Sequence, residues 1–121
     1  MRYEHEHQGE ITVVRVMEAK LTSVEAPEMK TAFLQLITEG KRILVLNLQD
    51  VQYMDSTGLG ACLFGLRQAD ANDKEVVFCG LNPRIQSLIH IAQLDAILEI
   101  YDTEAEAVKE IQDDLTGKAG A

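Results

Sequence analysis

Apolar positions along the chain follow two different spacings, which predict strands and helices in alternation. Runs that are rich in β-branched residues, or apolar at nearly every position, indicate strands. The most apolar of these runs covers residues 43–48 and is typical of a central strand with at least one covered face. A Gly9-Glu10 turn joins the first two runs into a predicted hairpin. The predicted strands are 2–8, 11–17, 43–48, 76–79 and 97–101.

Helices are predicted where apolar residues recur every three or four positions between start and stop signals. Pro27 suits a first helical position and Gly40 suits a helix stop, so a helix is expected over 27–39. A second helix is expected over 57–71. Asn82-Pro83 opens a third helix, and a capping-box pattern at 103–106 opens a fourth.

The order ββαβαβαβα predicts a single α/β domain with a mixed sheet, whose parallel strands are covered by helices. We assign residues 1–115 to this domain. Residues 116–121 are rich in glycine and alanine, and we expect them to form a flexible C-terminal tail.

The chain of 121 residues has a net charge of −9, from 11 basic and 20 acidic residues. Such a surface repels phosphate backbones and anionic membranes, so direct binding of nucleic acid or membrane is disfavoured. No apolar run approaches the roughly 20 residues that span a bilayer, and the first residues lack the apolar stretch of a signal peptide. We expect a cytoplasmic protein, with Cys62 and Cys79 as buried free thiols.

The histidines offer little evidence for a metal or catalytic site. His5 and His7 alternate with glutamates on the first strand, where a solvent-facing position is favoured over a metal site. His90 lies among apolar residues of a predicted helix, which favours a core or half-buried position over a general base. No cofactor and no metal are expected.

The segment 51–60 joins the central strand to the second helix, where α/β folds place their functional loops. Asp55 and Ser56 are both suitable N-caps for a helix that begins near Thr57. Ser56 is also a candidate phosphate acceptor, because a helix N-terminus has free N–H groups and a partial positive charge. A phosphate there would add nearly two negative charges at neutral pH.

The second helix has a predicted core face and an unusual outward face. At 100° per residue, the core face holds Leu59, Cys62, Leu63 and Leu66. The opposite face is expected to be exposed, yet it has small residues and a phenylalanine where charges are usual. This composition favours a partner-binding surface over packing under a neighbouring element. The residues on that face are Thr57, Gly60, Ala61, Phe64 and Gln68.

Enzymatic functions fit the sequence poorly. Ser56 lacks the G-x-S-x-G context of a hydrolase nucleophile, and the glycines that follow it lack the lysine of a phosphate-binding loop. Asp50 and Asp55 lie near the end of a central strand, as in an aspartyl-phosphate receiver. However, the strand over 11–17 ends without the acidic pair that would hold Mg²⁺. We expect a binding module and not an enzyme.

The segment Asn47-Leu-Gln-Asp-Val-Gln-Tyr-Met-Asp-Ser-Thr-Gly-Leu-Gly60 resembles the signature of STAS domains. It is most similar to that of the anti-sigma factor antagonists, also called anti-anti-sigma factors. The resemblance extends over nearly the whole chain and includes the segments 21–30, 79–83 and 94–101. The Asp-Ser-Thr-Gly core is a strong signal because it follows an apolar strand in this order of elements.

The resemblance implies a phosphorylation switch. In that family an anti-sigma factor, which is a serine kinase with a histidine-kinase-like ATP fold, phosphorylates the serine that matches Ser56. The unphosphorylated form binds this kinase and frees a sigma factor, and a metal-dependent serine phosphatase reverses the mark. By position, Ser56 is the implied acceptor, Thr57 is a less favoured one, and Asp55 supports the loop or the kinase contact.

The implied partner surface combines the start of the second helix with the loop before the first helix. Many relatives have an aspartate after the residue that matches Leu21, whereas this chain has Thr22 and then Ser23. This departure leaves open which kinase binds. Other binding modules of the same fold remain alternatives, namely a scaffold or adaptor in a signalling assembly and an accessory subunit of a lipid or anion transport system. The expected partner-binding residues are Thr22, Ser23, Asp55, Ser56, Thr57, Gly58, Gly60, Ala61 and Phe64.

Overall fold

The computed structural model describes residues 1–117 and has the predicted α/β architecture. Its strands are β1 (Tyr3–Gln8), β2 (Ile11–Val16), β3 (Lys20–Leu21), β4 (Ile43–Asn47), β5 (Tyr53–Met54), β6 (Glu75–Cys79) and β7 (Ile100–Tyr101). Five of them form the main sheet in the order β1-β2-β4-β6-β7, and β3 pairs with β5 in a separate two-stranded sheet. In the main sheet β1 is antiparallel to β2, and the other neighbours are parallel.

Within residues 1–117, four helices cover both faces of the main sheet, in agreement with the predicted helix-covered mixed sheet. They are α1 (Ala26–Glu39), α2 (Ser56–Ala71), α3 (Pro83–Ile91) and α4 (Glu104–Thr116). Apolar residues of α1, α2 and α3 form the larger core with one face of the sheet. Residues of α4 form a smaller core with the other face. None of the helices within residues 1–117 is both long and apolar enough to cross a membrane.

The predicted order of elements lacked β3 and β5, because two-residue strands have no recognisable period. The last strand is also shorter than the predicted 97–101. Ile97 and Leu98 instead donate their amides to the carbonyl of Leu94 in a helix-like turn. At the C-terminus, Thr116 belongs to α4 and Gly117 caps it with a φ of 78°. These two residues were assigned to the predicted tail, whose remaining residues 118–121 lie outside the described residues.

Cys62 and Cys79 are buried free thiols, as predicted. Burial raises the pKa of the Cys62 thiol to about 12 and that of the Cys79 thiol to about 11. Both thiols therefore stay protonated at neutral pH, where a reactive cysteine would be ionised.

The buried face of α2 consists largely of small residues, because α1 and β3 approach this helix closely. A Cβ atom at Gly65 would lie 2.6 Å from the ring of Phe33 on α1, and one at Gly58 would lie 2.1 Å from the carbonyl oxygen of Leu21. The expected exposure of Ala61 was wrong, since its exposed fraction is 0%. The buried residues of α2 are Gly58, Leu59, Ala61, Cys62, Gly65 and Ala69.

An ion pair fixes the start of α4 over the carboxyl ends of β2 and β4. Arg15 Nε donates to Glu104 Oε1 at 2.8 Å, and Arg15 Nη2 donates to Glu104 Oε2 at 2.7 Å. Asn47 Nδ2 also donates to Glu104 Oε1, at 2.9 Å. The hydrogen bonds from Arg15 lower the pKa of the Glu104 carboxyl. The pair is bidentate and partly shielded from water, which makes it stronger than an ordinary surface ion pair.

Replacing Glu104 by Gln should lower the free energy of unfolding by about 1–2 kcal/mol at neutral pH. The pKa of the Glu104 carboxyl is lower in the folded chain than its ordinary value of 4.5. The stabilisation by the Arg15–Glu104 pair is therefore fully present above pH 4.5 and is lost as the pH falls through the folded-state pKa. Urea titrations of the wild type and of Glu104→Gln at several pH values measure this difference in the free energy of unfolding. The matched control is Glu106→Gln in the same first turn, which should change stability much less. An effect on stability that persists at the lowest pH would contradict the assignment.

Two glycines of α2 provide a matched test of the close approach to β3. Gly58→Ala should lower the free energy of unfolding by about 3 kcal/mol, because the added methyl group meets the Leu21 carbonyl. Gly60→Ala should leave stability unchanged or raise it by up to about 1 kcal/mol, because a Cβ there has no neighbour within 4 Å. Thermal and urea unfolding give the stability change of each variant. Equal stability changes for Gly58→Ala and Gly60→Ala would contradict the close approach of α2 to β3.

Candidate functional site

Asp55 caps the N-terminus of α2. Its Oδ1 accepts a hydrogen bond from the amide of Gly58 at 2.9 Å, and its carbonyl accepts one from the amide of Leu59 at 3.0 Å. The capping role predicted for Asp55 is confirmed, whereas Ser56 is the first helical residue and not the cap. The Asp55 carboxylate therefore caps α2, and the Ser56 side chain is not needed as the cap.

The Ser56 and Thr57 side chains are exposed at the first turn of α2. Among residues 1–117, neither hydroxyl takes part in a side-chain hydrogen bond. Apart from the Asp55 cap, the first turn of α2 contains no acidic residue. The helix N-terminus therefore presents its partial positive charge next to an accessible hydroxyl, a setting that tolerates an added anion.

The strand pair β3–β5 brings the loop before α1 next to this turn. Leu21 pairs in register with Met54, and the Leu21 carbonyl accepts a hydrogen bond from the amide of Asp55 at 3.3 Å. Ser23 and Val24 follow on the outside of the loop and are exposed. The two segments that were expected to form one surface are therefore adjacent in the structure.

Thr22, the residue that departs from the pattern of many relatives, is occupied within its own loop. Its amide donates to Glu25 Oε1 at 2.9 Å, and its hydroxyl donates to the same oxygen at 3.0 Å. The amide hydrogen bond from Thr22 lowers the pKa of the Glu25 carboxyl. The Glu25 carboxylate therefore stays negatively charged at neutral pH. The Thr22 hydroxyl stabilises the conformation of the loop through its hydrogen bond to Glu25.

Phe64 lies farther along α2 and is half-buried. Lys30 Nζ of α1 lies 5.7 Å from the centroid of the Phe64 ring, within range of a cation–π contact. One part of the ring is therefore covered by α1 and the rest faces solvent. Gly60 lies one turn earlier on the same side, and the space where a side chain would project is open.

The predicted partner residues divide into three groups by exposure. The exposed group is Ser23, Ser56 and Thr57, the half-buried group is Thr22, Asp55, Gly60 and Phe64, and the buried group is Gly58 and Ala61. The two buried residues serve the packing of α2, and their side-chain positions point away from solvent.

Sequence reasoning missed Val24, which has an exposed fraction of 73%. A large apolar side chain this exposed, on the loop that the β3–β5 pair brings next to the start of α2, extends the candidate surface across the loop. The signal was present in the sequence, since Val24 is a β-branched residue between Ser23 and Glu25 in a polar loop. Its exposure depends on the turn that the Thr22–Glu25 hydrogen bonds create.

The histidine expectations had mixed outcomes. His5 and His7 are exposed on β1, as predicted, and His7 Nδ1 lies 2.9 Å from Thr12 Oγ1. His90 was expected in a core or half-buried position, and this was wrong. Its side chain is 81% exposed and pairs with Asp95 at 3.0 Å. Residues 1–117 contain no group of three or more His, Cys, Asp or Glu side chains arranged to hold a metal ion.

The chain is similar in sequence to a known protein family and to curated proteins of known role. The model of the STAS domain family matches residues 2–107. An anti-sigma-B factor antagonist of Staphylococcus aureus (strain NCTC 8325 / PS 47) is 36% identical over 81 residues, which cover 66% of this chain and 75% of that protein.

Solved structures share the fold. An anti-sigma factor antagonist from Mycobacterium paratuberculosis superposes with a TM-score of 0.82 at 21% identity, over 93% of this chain and 94% of that one. The Bacillus cell fate determinant SpoIIAA in its phosphorylated form superposes with a TM-score of 0.69 at 19% identity, over 91% of this chain and 99% of that one. The chain therefore belongs to the STAS domain family, among the anti-sigma factor antagonists.

Proposed function

We propose that this chain binds a serine-kinase anti-sigma factor when Ser56 is unmodified and releases it when Ser56 is phosphorylated. Binding of the kinase frees a sigma factor, so the phosphorylation state of one side chain regulates transcription. A metal-dependent serine phosphatase restores the binding form. The chain itself acts as a binding module, and the chemistry is performed by its partners.

The observation that carries this proposal is the exposed hydroxyl of Ser56 at the start of α2. A kinase needs the hydroxyl oxygen to reach the γ-phosphorus of ATP, and no described side chain covers or binds it. In the transfer, the Ser56 oxygen forms a bond to the γ-phosphorus while the bond from that phosphorus to the β–γ bridging oxygen breaks. ADP leaves, and the hydroxyl proton passes to a base of the kinase. The Asp55 cap and the packing of Gly58 hold the turn in place while this happens.

The phosphate would act on docking and not on the fold. It adds nearly two negative charges at neutral pH next to free helix N–H groups, which stabilise an anion. The chain is thus expected to keep its structure. A partner surface in contact with Ser56 would meet new bulk and charge, and any acidic group on it would be repelled. The net charge of −9 strengthens this repulsion.

The contact area around Ser56 combines polar groups with two apolar side chains. Val24 stands out from the loop before α1, and Phe64 offers a partly open ring on α2. A few well-packed side chains near the centre of an interface contribute most of its binding free energy, and an exposed apolar or aromatic side chain can be buried fully there. Val24 and Phe64 are therefore the expected anchors, one on the loop before α1 and the other on α2, the helix that begins at Ser56.

Incubation with the cognate kinase and Mg-ATP should label Ser56. Ser56→Ala should abolish the label and still bind the kinase, whereas Thr57→Ala, the matched control, should be labelled like the wild type. Ser56→Asp should bind the kinase at least about tenfold more weakly, because a charge replaces the hydroxyl at the contact. Mass spectrometry and calorimetry measure these outcomes. A label on Thr57 or on any other residue would refute the acceptor assignment.

Truncating the exposed apolar anchors should weaken partner binding without unfolding the chain. Phe64→Ala should reduce the binding free energy by about 1–3 kcal/mol, and Val24→Ser by about 1 kcal/mol. Ile91→Ser is the matched control for Val24, because Ile91 is 78% exposed at the end of α3, away from α2. Calorimetric titration against the kinase gives the comparison. Equal losses for Val24→Ser and Ile91→Ser would contradict the proposed contact area.

The alternatives share the fold but predict different partners. A scaffold would remain in a multi-subunit assembly whether or not Ser56 is phosphorylated, and a transport subunit would copurify with membrane proteins. A pulldown from the native cell with wild type and Ser56→Asp separates them. An anti-sigma factor bound to the wild type and absent from Ser56→Asp supports the proposed switch.

A further inference from the structure

A second surface feature lies beside the small β3–β5 sheet. It is a cleft with a volume of about 360 Å³, and we call it the basic cleft. Lys20 of β3 and Arg84 of α3 reach it from two different elements. Its lining residues are Ala19, Lys20, Gln52, Tyr53 and Arg84, with no acidic residue among them.

The two cations of the basic cleft are uncompensated. Among residues 1–117, Lys20 and Arg84 form no ion pair with an acidic side chain, and the same is true of Lys30, Lys41, Arg42, Arg67 and Lys74. Lys20 and Arg84 differ from the other unpaired cations in lining one cleft from two elements, with no acidic residue in its lining. Such a pair provides a strong local attraction for a carboxylate on an otherwise repulsive surface.

The walls of the cleft are tied together by hydrogen bonds. The amides of Gln52 and Tyr53 both donate to the carbonyl of Ala19, at 2.8 and 3.1 Å. Asn82 caps α3 through the amide of Ile85 at 2.9 Å, and its Nδ2 donates to the carbonyl of Gln52 at 3.0 Å. The backbones that carry Lys20, Tyr53 and Arg84 are thus held in place before any partner arrives, which limits the entropy lost on binding.

The cleft is continuous with the surface around Ser56. Tyr53 belongs to β5, which leads directly into α2, and its side chain is 40% exposed. Lys20 pairs with Tyr53 in the strand register, one position before Leu21 and the loop that carries Val24. A protein docked on Ser56 and on that loop therefore reaches the cleft without a break in the contact area.

We propose that the basic cleft receives an aspartate or glutamate side chain of the same protein that docks on Ser56. This inference rests on the proposed function and specifies the chemistry of the partner at a second point. A carboxylate placed between the Lys20 ammonium and the Arg84 guanidinium would form charge-assisted hydrogen bonds. Charges at the rim of an interface act mainly on the association rate and on its salt dependence.

The test is stopped-flow measurement of binding to the purified cognate anti-sigma factor at several salt concentrations. Lys20→Glu and Arg84→Glu should each lower the association rate about tenfold at low salt and weaken its salt dependence. The matched control is Lys41→Glu, which makes the same charge change at an exposed residue before β4, at the opposite end of the strands. It should change the rate much less. Ser56→Asp is measured in parallel.

Each outcome decides the inference. Slow association for both cleft variants, but not for Lys41→Glu, supports it. Equal effects of all three charge reversals would assign the effect to net charge and overturn it. Unchanged binding of the cleft variants, with weakened binding of Ser56→Asp, overturns the cleft alone and leaves the phosphorylation switch standing. If the wild type does not bind, or if Ser56→Asp binds like the wild type, the proposed function fails and the cleft assignment fails with it.

A control titration with inorganic phosphate separates a protein carboxylate from a small anion as the occupant. Saturable binding of phosphate to the wild type, lost in Arg84→Glu, would reassign the cleft to a small anion and overturn the proposal. The expected result is no saturable binding of phosphate.

Discussion

The approach of the first turn of α2 to the carbonyl of Leu21 is the constraint on which the site depends. A glycine at position 58 permits this approach, since a Cβ atom there would lie 2.1 Å from the carbonyl oxygen. The same carbonyl accepts the amide of Asp55, so β3 and the helix start are joined at a single atom. This contact sets the loop that carries Val24 beside Ser56 and makes one surface of two segments that are distant in sequence.

A switch built this way needs no change of fold. The Asp55 carboxylate and the small residues of α2 hold the turn, while the Ser56 hydroxyl stays outside this network. A phosphate would meet the positive end of the helix locally and alter only what a partner encounters. The basic cleft adds two local positive charges to this otherwise acidic surface, which suits the proposed contact with one carboxylate of the partner.

The sequence predicted the main strands and all four helices because periodicity, caps and breakers are local properties. The Asn82 and Thr103 caps are found as expected, accepting hydrogen bonds from Ile85 and Glu106. The errors arose where tertiary contacts outweigh the local pattern. The helical wheel placed Ala61 outside because its position at 100° per residue is opposite the leucine-rich face, yet the packing of α1 against the small residues of α2 buries it. His90 was placed inside by its apolar neighbours, but it pairs with Asp95 at the surface.

By itself, the sequence determined the α/β class, the position of Ser56 at a helix start and the acidic surface, since each depends on residue type and spacing along the chain. Only the tertiary structure decided that Ser56 is exposed, that Val24 is exposed on the loop next to the start of α2, and that Lys20 and Arg84 line one cleft. The physical reason is that exposure and proximity depend on which elements pack together. Here the two-residue strands β3 and β5, too short to leave a sequence pattern, determine that packing.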